Sequence, residues 1–159
     1  LPKVGHRVQD LITAIETFLN WNNCTDAFLV GAGSLGTALL GYDGFSKAGV
    51  RIVAAFDRDP KKVGRKVHGI PILPMEKLED LTRRMHIAIG ILTVPAASAQ
   101  EVASTLVRGG VRALWNFAPT PLSVPDDIIV ESITLYASLA VLSRKLATQR
   151  SSETAPGPV

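Results

Sequence analysis

The chain has few of the residues that build metal centres, disulfide scaffolds or membrane spans. Cys24 is the only cysteine among 159 residues, which excludes an internal disulfide and a cysteine-rich metal cluster. His6, His68 and His86 lack the spacing of metal ligands, so we expect no metal site. No apolar run reaches the roughly 18–20 residues that a transmembrane helix needs, and no signal peptide is visible. These absences favour a cytoplasmic protein with no membrane contact.

Aromatic residues are also scarce, at 6%, and the net charge is only +3. No basic segment with interleaved aromatics is present, so the composition gives no sign of a nucleic-acid-binding arm. Glycine and small aliphatic residues are abundant, as is typical of a parallel sheet packed between helices. The length suits one domain. Because the chain begins with Leu1 rather than Met, we expect a fragment of a longer protein.

Hydrophobic periodicity divides the chain into alternating helices and strands. Helices are predicted at residues 8–20, from Ser34 onward, and at 74–85, 96–108 and 135–147. Strands are predicted at residues 27–30, 50–57, 87–94, 111–117 and 128–133, with an edge strand or crossover segment at 70–73. Such alternation implies parallel strands joined by right-handed crossovers. The predicted fold class is α/β, a Rossmann-type doubly wound, mostly parallel sheet with an extra C-terminal helix.

This pattern implies four regions in the chain. They are a linker with an amphipathic helix (1–24), a Rossmann dinucleotide-binding domain (25–134), a C-terminal dimerisation helix (135–147) and a disordered tail (148–159).

A glycine-rich turn carries the most specific signal in the sequence. The segment Gly31-Ala32-Gly33-Ser34-Leu35-Gly36 follows a strand, opens a helix, and has an acid, Asp57, 21 residues beyond its last glycine. In such a turn Gly31 allows the tight bend, Gly33 lets the backbone approach a pyrophosphate, and Gly36 lets the helix pack closely. Asp57 would accept hydrogen bonds from the adenosine ribose, which favours NAD(H) over NADP(H). Arg58 tempers that preference, since an arginine there can accommodate a 2′-phosphate.

Two further strand ends should lie at the same edge of the sheet, where open α/β sheets bind ligands. Thr93, Val94 and Pro95 end one strand, and Pro95 turns the chain so that backbone groups are exposed towards a cofactor. Asn116 and Phe117 end the next strand. Asn116 either hydrogen-bonds near the nicotinamide ribose or serves as a turn-forming residue before the prolines.

No catalytic residues are predicted. The strand-end loops hold no histidine beside an acid, and Ser34 has no candidate base nearby. No segment remains for a substrate domain. The sequence therefore predicts cofactor binding without chemistry.

Several of these segments resemble the Rex family of bacterial redox-sensing repressors in order and spacing, across roughly residues 4–147. The matching segments are 28–40, 55–57 with 63–64, 69–71, 91–96, 116–119 and 124–125. The resemblance implies a Rossmann domain that senses the NADH/NAD⁺ ratio. It also implies a homodimer in which the last helix is exchanged between subunits. DNA would be bound only through a winged-helix domain that is absent here.

One departure from the family pattern leaves the function open. Rex proteins usually carry an acid just before the exchanged helix, where this chain has Thr134. The first interpretation is the sensor domain of a Rex-like transcriptional repressor. The alternative is a Rex-like cofactor-binding domain fused to an iron–sulfur subunit of a hydrogenase or NADH dehydrogenase. Coenzyme A binding is a third possibility, which the intact glycine turn with Asp57 makes weaker.

Overall fold

The computed structural model describes residues 7–15 and 24–153. Its strands are β1 (Thr25–Val30), β2 (Val50–Asp57), β3 (Lys66–Val67), β4 (Ile70–Pro74), β5 (Ile89–Leu92), β6 (Ala113–Asn116) and β7 (Ile129–Ser132). Its α-helices are α1 (7–15), α2 (Ser34–Leu40), α3 (Gly44–Lys47), α4 (Leu78–Arg84), α5 (Ala96–Arg108) and α6 (Leu135–Glu153), and a 3₁₀ turn, Met75–Lys77, precedes α4.

The strands form one sheet in the order β3-β4-β2-β1-β5-β6-β7. All neighbouring pairs are parallel except β3 and β4, which form an antiparallel hairpin at one edge. The chain builds outward from β1 to one side and then, from β5, to the other. Strand order therefore reverses between β1 and β5, and ligands of such sheets bind at the carboxyl end of that reversal. The predicted fold class is confirmed.

Two apolar clusters pack against the two faces of the sheet. Helices α4 and α5 cover one face, where Phe28, Phe56 and Leu106 are fully buried. Helices α2 and α3 cover the other face, with Leu40 and Phe45 over Leu29. Between α4 and α5, the Glu79 carboxylate accepts hydrogen bonds from Arg83 and Arg108. The bonds from Arg108 first, and then Arg83, lower the pKa of Glu79 below its ordinary value.

Several predicted boundaries differ from the structure. The strands predicted at 87–94 and 111–117 are shorter, as β5 and β6. Segment 70–73 lies within β4, second from the edge, because the short strand β3 pairs outside it. The predicted helix 8–20 is helical over 7–15, and its remainder lies outside the described residues.

The C-terminal boundary is wrong, because α6 continues past residue 147 to Glu153. Residues 148–153, which we expected in a disordered tail, are helical. Their polar side chains stay in register with the helix: the hydroxyls of Thr148 and Ser151 donate to the carbonyls of Arg144 and Ala147. Residues 154–159 lie outside the described residues. None of the helices in the described ranges is both long and apolar enough to cross a bilayer.

Candidate functional site

The glycine turn lies between β1 and α2, at the carboxyl edge of the sheet. Gly31 has a φ of +103°, and a Cβ there would press on the carbonyl of Thr93. A Cβ on Gly36 would run into the carbonyl oxygen of Gly31. Gly33 differs, because a Cβ there would meet nothing within 4 Å. Gly31 and Gly36 are thus required by the packing of the turn, whereas Gly33 leaves its backbone open to a ligand.

Thr93 joins the end of β5 to this turn. Its Oγ1 lies 2.7 Å from the Gly31 carbonyl oxygen and 3.0 Å from that of Val30, and its backbone N–H also donates to Val30. The hydroxyl therefore holds the carbonyl side of the turn against the neighbouring strand.

Asp57 connects the turn to the end of β2. Its Oδ2 accepts a hydrogen bond of 2.8 Å from the N–H of Ala32, and its Oδ1 accepts one of 2.8 Å from the N–H of Asp59. The side chain is 12% exposed, and the Lys62 Nζ lies 3.9 Å from Oδ2. The two N–H groups fix the carboxylate, and its remaining acceptor capacity is available to a ligand.

A cavity of about 700 Å³ opens beside these residues. Of the predicted site residues, those that line it are Gly31, Gly33, Asp57, Arg58, Thr93, Val94 and Pro95. Its apolar lining residues include Val30, Phe56 and Val102. Acidic and basic side chains also line it, among them Asp57 and Arg58. A cavity of this size with apolar walls and few polar groups suits a nucleotide-sized ligand.

The other predicted residues do not line the cavity. Ala32 contributes its N–H to Asp57, and Ser34, Leu35 and Gly36 belong to the first turn of α2. Asn116 is fully buried: its Nδ2 donates to Thr120, and its Oδ1 accepts from the N–H of Ala118. Within this chain the Asn116 side chain therefore bonds to the loop after β6, as the turn-forming alternative requires, and contact with a nicotinamide ribose stays untested.

Phe117 is likewise directed away from the cavity. It packs against Trp115, with ring centroids 4.7 Å apart, in the cluster on the α2–α3 face of the sheet. The cavity is walled instead by α5 on the opposite face. Neither Asn116 nor Phe117 lines this cavity, and their contact with a cofactor stays a prediction.

Several lining residues were not predicted. They are Val30, Phe56, Lys62, Met75, Glu76, Ser98, Glu101, Val102 and Thr105. Four of them recur at helical spacing on one face of α5, directly after Pro95. That periodicity, combined with the turn at Pro95, is the sequence signal that could have identified this wall.

In the described part of the chain, no histidine, tyrosine or cysteine lines the cavity. Across the same residues, no group of three or more His, Cys, Asp or Glu side chains could hold a metal ion.

Comparison with known proteins identifies relatives of this chain. The sequence pattern described as CoA binding domain matches residues 22–120. The redox-sensing transcriptional repressor Rex of Treponema denticola is 46% identical over 149 residues, which cover 94% of this chain and 71% of that protein.

Solved structures agree with the sequence comparison. RSP, a Rex-family repressor, has been solved in complex with β-NADH, and separately with β-NAD⁺ and operator DNA. The NADH complex is 36% identical to this chain and superposes with a TM-score of 0.78, covering 92% of this chain and 70% of RSP. The operator complex superposes with a TM-score of 0.76, covering 93% and 70%. With nearly half of its residues shared with one repressor and its fold shared with another, the chain belongs to the Rex family of redox-sensing transcriptional repressors.

Proposed function

We propose that this chain binds NAD(H) in the cavity beside the glycine turn and senses the NADH/NAD⁺ ratio for a Rex-type repressor. The main support is the position of three residues that the sequence assigned to one dinucleotide-binding fingerprint. Gly31, Gly33 and Asp57 all line the same cavity. The complexes of RSP with β-NADH and β-NAD⁺ support the same ligand.

In this proposal each group has a defined part. The open backbone at Gly33 receives the pyrophosphate, and the fixed carboxylate of Asp57 accepts from the adenosine ribose hydroxyls. Thr93, Val94 and Pro95 form the floor at the end of β5. Binding changes no covalent bond, and the lack of a proton-transfer histidine or tyrosine among the lining residues supports a sensor rather than a dehydrogenase.

The two competing functions have less support. The Rex protein of Treponema denticola and RSP are both repressors by name, which favours the sensor over a domain fused to an iron–sulfur subunit. Thr134, which motivated that alternative, is exposed directly before α6 and does not line the cavity. The matching domain family is named for coenzyme A. In this proposal, however, Asp57 accepts from a ribose carrying free hydroxyls, whereas coenzyme A bears a 3′-phosphate there.

We further propose that the chain acts as a homodimer in the cytoplasm. Helix α6 carries a stripe of exposed leucines: Leu135, Leu139, Leu142 and Leu146. Operator contact is assigned to a DNA-binding domain outside the Rossmann domain, because the relative solved with operator DNA is longer and this chain covers 70% of it.

Calorimetry on the purified chain tests the ligand. NADH and NAD⁺ should both bind with no other component, and NADPH should bind more weakly because its 2′-phosphate meets Asp57. Coenzyme A should bind more weakly than either. Tighter binding of coenzyme A than of NADH would overturn the proposal.

A further inference from the structure

Arg58 reaches across the mouth of the cavity. It follows Asp57 at the end of β2, and its Nη2 donates a hydrogen bond of 2.6 Å to the Oγ of Ser98. Ser98 lies in the first turn of α5, which forms the opposite wall. A guanidinium group therefore spans the space between the end of β2 and α5.

A neutral hydroxyl, rather than a carboxylate, holds this guanidinium. Asp57, Glu76 and Glu101 all line the same cavity, yet Arg58 forms no ion pair within the described residues. An arginine held only at one edge keeps its planar face available. That face stacks well on an aromatic ring, because the guanidinium is delocalised and weakly hydrated.

The position of Arg58 decides which part of a dinucleotide it would meet. If Asp57 binds the ribose of the adenosine half, as proposed, the base attached to that ribose lies beside Arg58. The apolar surfaces around this end come from Met75, Val94 and Val102. An apolar wall and a guanidinium plane are both surfaces on which a flat purine stacks.

We propose that Arg58, anchored by Ser98, is the adenine clamp of the site. It stacks on the base and gives the chain its preference for a dinucleotide over a nicotinamide mononucleotide. The inference rests on the proposed binding of NAD(H). An alternative partner for Arg58 is a 2′-phosphate, but the anionic carboxylate of Asp57, fixed by two backbone N–H groups, occupies that side of the ribose.

Competition titrations against protein-bound NADH test the clamp on the full chain. The competitors are AMP, which carries only the adenine half, and reduced nicotinamide mononucleotide, which carries only the other. Arg58→Ala should weaken NADH and AMP by about tenfold, as expected for loss of a partly desolvated cation–π contact. It should leave the mononucleotide within about twofold, since that ligand never reaches Arg58.

Three further variants separate stacking from charge. Arg58→Lys keeps the positive charge but lacks the planar guanidinium group, so it should bind NADH nearly as weakly as Arg58→Ala. Ser98→Ala removes only the anchor and should cause a smaller loss, about threefold, again confined to NADH and AMP. Arg65→Ala removes the same side chain from an exposed position that does not line the cavity, and should change nothing.

Several results would overturn the clamp. Unchanged NADH affinity in Arg58→Ala, or an equal loss of affinity for the mononucleotide, would show that Arg58 does not contact the adenine. A gain in affinity would make the Arg58–Ser98 bond a barrier to the ligand. Full rescue by lysine, or a larger loss for NADPH than for NADH, would make Arg58 a charge partner instead. Failure of the unaltered chain to bind NADH would refute the proposed function itself, whereas the other outcomes refute the clamp alone.

Discussion

At the scale of single residues, Gly33 and Gly36 serve different requirements: Gly33 leaves room for a ligand, and Gly36 allows close packing within the turn. A methyl group on Gly33 meets open space, and its φ of −79° is accessible to alanine. Gly33→Ala should therefore keep the stability of folding within about 1 kcal/mol and weaken NADH binding, because the methyl lies where the pyrophosphate approaches. Gly36→Ala should cost about 1–3 kcal/mol or more in stability, since its methyl runs into the Gly31 carbonyl. Thermal unfolding and NADH titration on both variants make the comparison. Normal NADH binding by Gly33→Ala would contradict the assignment.

Asp57 has a structural and a ligand-binding part, which two cofactors can distinguish. Asp57→Ala frees the N–H groups of Ala32 and Asp59, and that disturbance of the turn affects every ligand equally. Loss of the ribose hydrogen bond affects NADH, whereas loss of the negative charge relieves NADPH. NADH affinity should therefore fall by about 1–3 kcal/mol more than NADPH affinity. Calorimetry with both cofactors measures the difference. Equal losses of affinity for NADH and NADPH would show that Asp57 does not bind the ribose.

The sequence predicted these residues because their constraints are local. A turn that needs a positive φ at Gly31 and close packing at Gly36 permits few residue types, so the pattern reveals the geometry. Asn116 shows the limit of this reasoning. An amide at a strand end can bind a ligand or its own loop, and the sequence does not reveal that Thr120 and Ala118 lie where they can bond to it. Ser98 and Arg58 likewise meet across 40 residues of sequence, which no local pattern encodes.

At the scale of elements, the end of β5 is tied to the turn by the hydroxyl of Thr93. Thr93→Val has nearly the same shape but leaves the Gly31 carbonyl without this partner. We expect a loss of about 1–2 kcal/mol in unfolding free energy, together with weaker NADH binding because the turn is less well held. Thr93→Ser keeps the hydroxyl and should restore most of the binding. Denaturant unfolding and NADH titration check both variants. A valine variant that matches the unaltered chain would show that the hydroxyl is dispensable.

Longer elements were predictable and short ones were not. The 13 residues of α5 carry a full helical period, and Ala99, Val102, Ala103 and Leu106 are buried as that period requires. The two residues of β3 and the four of α3 are too short to show any period. The far end of α6 was missed for a different reason. Serine and threonine favour non-helical backbone on average, yet here their hydroxyls bond to carbonyls within the helix.

At the scale of the whole molecule, alternating strands and helices were enough to predict the sheet but not how its faces are covered. The sequence suggested that the helices of the domain cover both faces. In the structure, the crossover from β6 to β7 contains no helix and packs its apolar residues, Leu122, Val124 and Ile128, on the α5 side. On the other side, Trp115 and Phe117 are only partly buried, and Ile129 is 65% exposed. Phe45 of α3 packs on Trp115 from that side, so the apolar surface that is left exposed lies at the β7 edge of the sheet, around Ile129.

The exposed leucine stripe of α6 and this uncovered surface together predict the assembly. Burying four leucines would contribute roughly 1.5–3 kcal/mol each, and a two-fold partner can cover the stripe by exchange of the helix. Light scattering should therefore show a homodimer. The substitutions Leu139→Glu and Leu142→Glu should each shift the chain from dimer towards monomer or aggregate. Ala137→Glu places the same charge on the opposite side of the helix and should remain dimeric. A monomeric unaltered chain would contradict the dimer. A dimer that survives both leucine substitutions would place the interface on another surface, because a carboxylate buried without a partner costs several kcal/mol.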